Sequence, residues 1–508
     1  MTRLLLLMSA ILLAGARAAP PDQAPQSEAI KIFLDGNYKA AIPMLQAAAN
    51  TSPNDPNLHA ALLSALVYEG RVEDASDQAA DDEQHFPTSA DVITARGEYA
   101  FYMADFGTAE TLFKQALKID PDNARAYYGL SRIALAASNF RTGRMLGLVA
   151  HQKDSADALI TKYFISFMPR EKRGPALAEF RQAHPWFYED APMYENTESE
   201  VSHELNGRKA FELDGEKREV TLKLISIMRT ATALQGVGLE FQIEDARPIR
   251  LLLDTGASGI MLNQRAVDKA GLDHLGSFKT WGVGDQGKRG AFAAVAEYCQ
   301  IAELKYKTCI LRGGEGKRAI VQDEDGLIGL DFFSGYLIDI DFHKMQLHLK
   351  PLPERPFNAQ GYDREIPSDE KDFTPVLRFG NHLFIDTNLN GKIWGLFLLD
   401  TGASVSNVDS TFAKLSTKLY GNPYLRIHGI SGDVKDVFQA DKAVLRFAHY
   451  QQDNLGLIAF NLNNQPEHEE FRMSGILGFP VLSLFRMSFD YRNGLVRFEY
   501  IYGEKKHK

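Results

Sequence analysis

The pentapeptide Asp-Thr-Gly-Ala-Ser occurs twice in the chain, at positions 254–258 and again 146 positions later at 400–404. Each copy follows an apolar stretch, Leu251-Leu-Leu and Phe397-Leu-Leu. A single Asp-Thr-Gly is typical of a strand that leaves into an Asx-type turn. Two identical copies, each behind an apolar strand, indicate a duplicated unit.

The residue types suggest why a chain would need this turn twice. Two carboxylates held side by side do not both ionise at neutral pH, because each charge disfavours the other, so they share one proton. One can then act as a base toward water while the other donates to a carbonyl oxygen. Glycine allows close approach of the two loops, and a threonine hydroxyl can hydrogen-bond across them.

The duplication extends beyond the pentapeptides. Gly326-Leu-Ile-Gly329 follows the first copy and Gly475-Ile-Leu-Gly478 follows the second, at nearly equal distances along the chain. Asp341 and Asp490 lie twelve residues beyond the second glycine of each run, and each starts a hairpin-like segment. The sequence therefore predicts two related, mainly β lobes.

These motifs resemble the aspartic peptidases, and Asp-Thr-Gly-Ala is similar to their retropepsin-like branch. The resemblance covers roughly residues 216 to 503. It implies that Asp254 and Asp400 are the catalytic pair, supported by loop residues from both copies of the motif. These supporting residues are Thr255, Gly256, Thr401 and Gly402. The resemblance implies hydrolysis of an extended polypeptide without metal or organic cofactor.

Two glycine-rich stretches follow the acids at similar distances. Gly282-Val-Gly284 lies 28 residues past Asp254, and Gly429 lies 29 residues past Asp400. By the same resemblance they are candidate flaps over a cleft. The candidate flap residues are Trp281, Gly282, Gly284, His428 and Gly429. Ordinary surface hairpins explain the same residues equally well. Gly282–Gly287 also fits a dinucleotide-binding string, but no helical pattern follows it.

The first half of the chain has a different period. Prolines 53, 87 and 121 recur every 34 residues, and so do the small residues Ala41, Ala75, Ala109 and Gly143. This pattern resembles the tetratricopeptide repeat, a pair of helices that stacks into a solenoid. We expect about four units within residues 24–185, holding a peptide or protein partner or acting only as a spacer.

The predicted fold class is a multidomain α plus all-β protein. An N-terminal α-solenoid of helix pairs precedes two tandem mainly-β lobes. A linker is expected at 186–215, lobe 1 at 216–350, an inter-lobe linker at 351–372, lobe 2 at 373–503 and a tail at 504–508. Two cysteines, Cys299 and Cys309, fall on either side of a predicted hairpin turn. A disulfide and two buried free thiols are both compatible with that position.

Residues 1–18 are typical of a secretory signal, with Arg3, an apolar run and a small-x-small site at Ala16-Arg-Ala18. Its removal changes the formal charge from −10 to −12, because Arg3 and Arg17 are lost. An acidic chain without a basic run is a poor nucleic-acid binder. No later segment is apolar enough to span a membrane. We expect an exported, periplasmic or secreted protein.

The prediction is thus an exported aspartic endopeptidase with one active site formed by two lobes. A non-catalytic peptide-binding or scaffold protein of the cell envelope is the alternative. Pairing of each lobe with its counterpart in a second chain is also open. No metal site is expected, because neither His203-Glu204 nor His468-Glu469 begins a zinc-binding motif. Cleavage specificity, the ligand of the repeats and any activation step are not encoded in a recognisable motif.

Overall fold

The computed structural model describes residues 24–187, 197, 200–280, 282–314, 324–355, 361–422, 424–429, 431–454, 456–463 and 471–501. The predicted signal segment and tail lie outside these residues, and so does Trp281. Among the described residues, no helix combines the length and the apolar character needed to cross a bilayer.

The N-terminal domain is a series of antiparallel helix pairs. Prolines 53, 87 and 121 occupy the turns between successive pairs, and the four small residues of the 34-residue period are buried. The helices are α1 (Ala24–Leu34), α2 (Tyr38–Thr51), α3 (Pro56–Tyr68), α4 (Val72–His85), α5 (Ala90–Tyr102), α6 (Phe106–Ile119), α7 (Ala124–Ala136), α8 (Phe140–Lys153), α9 (Ala158–Ile165) and α10 (Arg170–Ala183). The prediction of a helical-repeat domain is confirmed.

Local sequence determines where several of these helices begin. The side chains of Asp55, Ser89, Asp105 and Asn123 accept backbone N–H bonds at the starts of α3, α5, α6 and α7. Such N-caps satisfy donors that a helix leaves unpaired. They recur about once per half-repeat, so the same signal sets the register of successive helix pairs.

Lobe 1 is built on a twisted sheet in the order β1-β9-β6-β10-β5-β4-β8-β7, with β3 against β4. Its strands, with the two that join a second sheet, are β1 (Glu212–Leu213), β2 (Val220–Lys223), β3 (Ile225–Met228), β4 (Leu234–Ile243), β5 (Ile249–Asp254), β6 (Ile260–Asn263), β7 (Leu275–Thr280), β8 (Arg289–Ile301), β9 (Leu304–Gly314), β10 (Gly326–Gly329), β11 (Tyr336–Asp341) and β12 (Gln346–Pro351). Helix α11 (Gln264–Ala270) follows β6.

Lobe 2 repeats this plan in the order β18-β21-β24-β17-β25-β16-β15-β22-β23, with β14 against β15. The strands of this half are β13 (Thr374–Pro375), β14 (Leu377–Phe379), β15 (His382–Leu389), β16 (Ile393–Asp400), β17 (Asn407–Asp409), β18 (Leu419–Gly421), β19 (His428–Gly429), β20 (Gly432–Asp433), β21 (Phe438–Ala440), β22 (Ala443–Phe447), β23 (Tyr450–Asn454), β24 (Ile458–Phe460), β25 (Gly475–Gly478), β26 (Phe485–Asp490) and β27 (Leu495–Tyr500). Helices α12 (Ser410–Lys414) and α13 (Phe479–Leu482) complete it.

A six-stranded sheet joins the lobes, in the order β13-β27-β26-β11-β12-β2. Strand β11 of lobe 1 lies antiparallel to β26 of lobe 2, with Ile338 opposite Phe489. The two hairpins predicted at Asp341 and Asp490 are β11–β12 and β26–β27. Their pairing fixes the lobes relative to each other and places both repeated turns in one molecule.

Two predicted boundaries change in detail. The sheet of lobe 1 begins at Glu212 rather than at 216, because β1 pairs with Lys307 and Tyr306 on the edge of β9. The predicted inter-lobe linker is packed against the helical domain, where Asp363 accepts hydrogen bonds from the Thr142 amide and hydroxyl at 2.9 and 3.0 Å. Both segments therefore contribute to domain structure.

The helical domain also packs directly on lobe 2. Phe106 at the start of α6 contacts Phe379 and Phe471, with ring centroids 5.6 and 5.8 Å apart. The backbone N–H of Arg472 donates to the carbonyl of Tyr102 at 2.6 Å. Buried aromatic contacts of this kind hold the solenoid against the lobe.

Cys299 and Cys309 are joined by a disulfide within the β8–β9 hairpin. The hairpin is as predicted, but the cysteines are not nearly opposite, since Cys299 faces Tyr306 and Cys309 faces Ala296. Thr308 has a positive φ of 56° and interrupts the register between them. The bond therefore crosses the hairpin diagonally, which the residue spacing alone did not predict.

Candidate active site

The two repeated turns face each other at the ends of equivalent strands. In lobe 1, β5 runs parallel to β10, and Asp254 lies opposite Gly329. In lobe 2, β16 runs parallel to β25, and Asp400 lies opposite Gly478. The matching register explains the nearly equal spacing between acid and glycine in the sequence. Each glycine is required because a Cβ there would lie closer than 3.0 Å to the backbone of the turn.

Each turn holds its own carboxylate with backbone N–H groups. The Gly256 amide donates to Asp254 Oδ1 at 2.8 Å. In lobe 2, Asp400 Oδ1 accepts from both the Gly402 and the Ala403 amides, at 2.8 and 2.9 Å. The two acids are therefore in unequal surroundings, and Asp400 receives one more hydrogen bond that stabilises its ionised form.

The two glycines of the turns allow the carboxyls to approach each other. A Cβ on Gly256 would lie closer than 3.0 Å to the Asp400 carboxyl, and a Cβ on Gly402 would lie equally close to that of Asp254. A side-chain hydrogen bond joins the two carboxyls. Only glycine fits at these positions, so the sequence itself permits the acid pair to form.

The electrostatics of the pair follow from this geometry. Burial raises the pKa of Asp254 well above its usual range, and the charge and hydrogen bond of Asp400 raise it further. Burial also raises the pKa of Asp400, while the Asp254 hydrogen bond and the N–H groups of Ala403 and Gly402 oppose that rise. The pair can therefore hold one shared proton, with Asp254 the more readily protonated member.

The threonines join the two turns reciprocally. The Thr255 hydroxyl donates to the Leu399 carbonyl, and the Thr401 hydroxyl donates to the Leu253 carbonyl, both at 2.7 Å. Thr255 and Thr401 have no exposed surface. Their hydrogen bonds fix the relative positions of the loops that carry the acids.

The predicted flap residues lie in two loops that meet each other. The loop of residues 282–286 and the β19–β20 ribbon are joined by backbone bonds from the Gln286 amide to the Ser431 carbonyl at 2.8 Å, and from the Ser431 amide to the Val283 carbonyl at 3.0 Å. The Gly282 amide also donates to Ser431 Oγ at 3.1 Å. Val283 belongs to the same apolar cluster as Ala403 of the second turn. The two loops thus form one continuous cover beside the acid pair.

The individual flap candidates differ in their surroundings. Gly284, with φ of 134°, and Gly429 lie where a Cβ would be closer than 3.0 Å to the backbone of the opposite loop. His428 is exposed and pairs with Asp433 at 2.9 Å. The glycines are thus needed for the contact between the loops, whereas the imidazole of His428 lies at the surface.

Several residues of the site carry no recognisable sequence signal. Asp331 accepts the Gly259 N–H at 2.9 Å and an Asn381 N–H at 2.7 Å, and thereby connects the first turn to lobe 2. The Gln235 amide donates to the Gly402 carbonyl at 2.8 Å. These contacts cross between lobes, and only the proximity of Asp331 to the Gly326–Gly329 run could have suggested its role.

Comparison with known families identifies the two parts of the chain. Residues 239–332, which contain the first turn and its backing strand β10, match the aspartyl protease family. Residues 100–142 match the tetratricopeptide repeat. The chain contains an aspartyl protease domain and tetratricopeptide repeats. Lobe 2, by its sheet order and its register, completes the aspartyl protease domain that the family match begins.

The structure also resembles the crystal structure of an aspartic proteinase from Irpex lacteus. The TM-score is 0.37 and the sequence identity is 11%, with 56% of this chain and 98% of that chain covered. No curated protein sequence matches this chain.

A possible cation site lies far from the acid pair in sequence. Within the described part of the chain, ligand atoms of His59, Asp81 and Asp82 in the repeats lie within 4.8 Å of one another. His59 Nδ1 and Gln78 Nε2 already lie 2.9 and 2.7 Å from Asp82 Oδ1. Hydrogen bonding accounts for this grouping, and it shares no residue with the aspartyl protease domain.

Proposed function

We propose that the chain is an exported aspartic endopeptidase in which Asp254 and Asp400 activate water for attack on a peptide bond. The observation that carries the proposal is the hydrogen-bonded pair of carboxyls, presented by two equivalent turns of one chain. The match of residues 239–332 to the aspartyl protease family supports the same chemistry.

The unequal surroundings of the two acids suggest their roles. Asp400, which accepts two backbone N–H bonds, would take a proton from water while the water oxygen bonds to the carbonyl carbon. Asp254 would donate its proton to the carbonyl oxygen. The C–N bond then breaks as the leaving nitrogen receives a proton, and no covalent enzyme intermediate forms. Thr255, Gly256, Thr401 and Gly402 would hold this geometry.

An extended polypeptide is the proposed substrate. Extended segments bind to β structure through backbone hydrogen bonds, and the loop of residues 282–286 and the β19–β20 ribbon offer such edges beside the acid pair. The two loops are bonded to each other, so substrate entry requires these bonds to open. Opening of the loops would then precede the chemical step.

The helical domain offers a groove for a protein or peptide partner. It has an apolar floor that includes Phe33 and Leu34, and its polar lining carries more acidic than basic groups. The charged lining residues are Asp91, Asp120, Asp122, Asp154, Asp157, Arg125 and Lys153. We expect this groove to recruit substrate or partner segments that combine basic and apolar side chains.

Export is proposed from the signal-like residues 1–18. The disulfide between Cys299 and Cys309 supports this localisation, because disulfides persist in oxidising compartments. A periplasmic or secreted location fits both features.

The decisive experiment measures cleavage of unfolded casein by residues 19–508 and by acid-pair variants. Asp254→Asn and Asp400→Asn should each lower kcat/KM by about 100-fold or more, the usual contribution of general acid–base catalysis. Asp453→Asn is the matched control, because Asp453 is exposed on β23 of lobe 2. Activity should elute with the monomer on sizing chromatography.

The result also decides against the non-catalytic alternative. A folded, monomeric wild-type protein that cleaves no substrate across the acidic and neutral pH range would favour a peptide-binding scaffold. Activity that persists in both acid-pair variants would remove the proposed roles of these acids.

A further inference from the structure

A second cavity lies where the helical domain, the inter-lobe segment and both lobes meet. Its volume is about 390 Å³, and it is separate from the acid pair, since none of the residues of the two Asp-Thr-Gly-Ala-Ser turns lines it. Three arginines and three aromatic residues dominate its walls. They are Arg355, Arg378, Arg492, Phe140, Tyr362 and Tyr491.

The walls of this cavity carry positive charge without an acidic residue. Arg355 pairs with Glu365 at 3.5 Å, but the Glu365 side chain is 72% exposed, and such a pair is weak in water. Residues 356–360, Pro-Phe-Asn-Ala-Gln, also contain no acid. Burial and the charge of Arg355 both lower the pKa of Arg492. The cluster thus concentrates like charges that an anion would offset.

The three guanidinium groups are held in place by backbone and amide oxygens. Arg378 donates to the Gly380 and Tyr491 carbonyls at 2.8 and 3.0 Å. Arg355 donates to Asn493 Oδ1 at 2.8 Å, and Arg492 donates to the Pro353 carbonyl at 2.5 Å. These bonds use only part of the five N–H donors of each guanidinium. The groups are therefore positioned in advance and retain donors for a ligand.

We propose that this cavity binds a small molecule bearing a carboxylate or phosphate group. Guanidinium forks match the paired oxygens of both groups, and bonds between opposite charges are the stronger hydrogen bonds. The rings of Phe140, Tyr362 and Tyr491 provide an apolar wall for an attached carbon body. A carboxylate and a phosphate share this recognition chemistry, and the two are distinguished by the probes below.

Occupancy of the cavity would link the three parts of the chain. Arg378 belongs to lobe 2 and lies 5.6 Å from the ring of Phe140 at the start of α8. Arg355 and Tyr362 belong to the inter-lobe segment, with the guanidinium 5.0 Å from the ring. A ligand bound only by the assembled walls stabilises the docked arrangement of the helical domain.

The test is isothermal titration calorimetry of residues 19–508 with inorganic phosphate and, separately, with benzoate, at constant ionic strength. We expect saturable binding of at least one probe with a stoichiometry of one. Arg492→Gln and Arg355→Gln should weaken it about tenfold or more, as expected for loss of a charged hydrogen bond. Arg265→Gln is the matched control, because Arg265 is exposed on α11 and removes the same charge.

The two probes separate the ligand classes, and binding is measured without reference to hydrolysis. Tighter binding of phosphate assigns a phosphorylated ligand, and tighter binding of benzoate assigns an aromatic or apolar carboxylate. Circular dichroism checks that each variant is folded. If a glutamine variant does not fold, Arg355→Lys retains the charge without the planar fork and should still weaken binding. Failure of both probes to bind, or equal loss in Arg265→Gln, overturns the proposal.

Discussion

Thr255 and Thr401 each accept the other's backbone N–H on their hydroxyl oxygen, at distances of 3.1 and 2.9 Å. Each hydroxyl also donates to a carbonyl one residue before the opposite acid. Four hydrogen bonds thus join two turns that are 146 residues apart. The position of each acid depends directly on the other lobe.

Thr401→Ala should therefore damage activity and stability together. It removes one donor and one acceptor and leaves the Thr255 N–H buried without its partner, a cost of about 1–3 kcal/mol. We expect a loss of kcat/KM on casein and a lower thermal midpoint. Thr401→Ser keeps the hydroxyl and should retain most of both. Equal behaviour of the alanine and serine variants would contradict the role of the hydroxyl.

The shared proton predicts the shape of the pH–rate profile. Burial raises the pKa of both Asp254 and Asp400, and Ala257 and Ala403 have no hydroxyl to stabilise the ionised pair. Activity requires one proton on the pair, so both limbs of the bell should lie above those expected for ordinary aspartates. We predict a mildly acidic optimum for casein cleavage. A maximum in strongly acidic solution would contradict this reasoning.

The same pKa shift predicts a change in stability with pH. The pKa of Asp254 is raised by folding, so the folded state binds more protons than the unfolded state above the ordinary aspartate pKa. Its contribution is present in acid and is lost as pH rises toward the folded pKa. Asp254→Asn removes this titration, and its thermal midpoint should fall less than that of the wild type between mildly acidic and neutral pH. Parallel midpoints for the two proteins would exclude this contribution.

The sequence predicted the features that depend on short, repeated signals. The 34-residue spacing of the prolines corresponds to turns between helix pairs, and the copied turns end equivalent strands. Contacts between distant segments were not predictable in this way. The bonds from Asn381 to Asp331 and from Gln235 to Gly402 join residues without a shared period. The disulfide was undecided because its geometry depends on the register break at Thr308.

The contact between the two cover loops predicts a different kind of variant. Gly429→Ala places a Cβ closer than 3.0 Å to the Val283 carbonyl, so the loop of residues 282–286 and the β19–β20 ribbon must separate. We expect faster hydrogen exchange at the amides of Gln286 and Ser431, which now bond across the contact. Gly421→Ala is the control, because a Cβ there meets no neighbouring atom within 4 Å. Unchanged exchange at both amides in Gly429→Ala would show that the loops do not depend on this contact.

The disulfide predicts a local loss of stability on its removal. Cys299 and Cys309 are separated by 10 residues, and closing a loop of that size stabilises a fold by about 2–3 kcal/mol in the chain-entropy treatment. Because the β8–β9 hairpin also has its backbone ladder, the Cys299→Ser/Cys309→Ser protein should fold but unfold at lower urea concentration. Thiol titration of the denatured wild type should find no free thiol before reduction and two after it. Two thiols before reduction, with equal urea midpoints for both proteins, would contradict the bond.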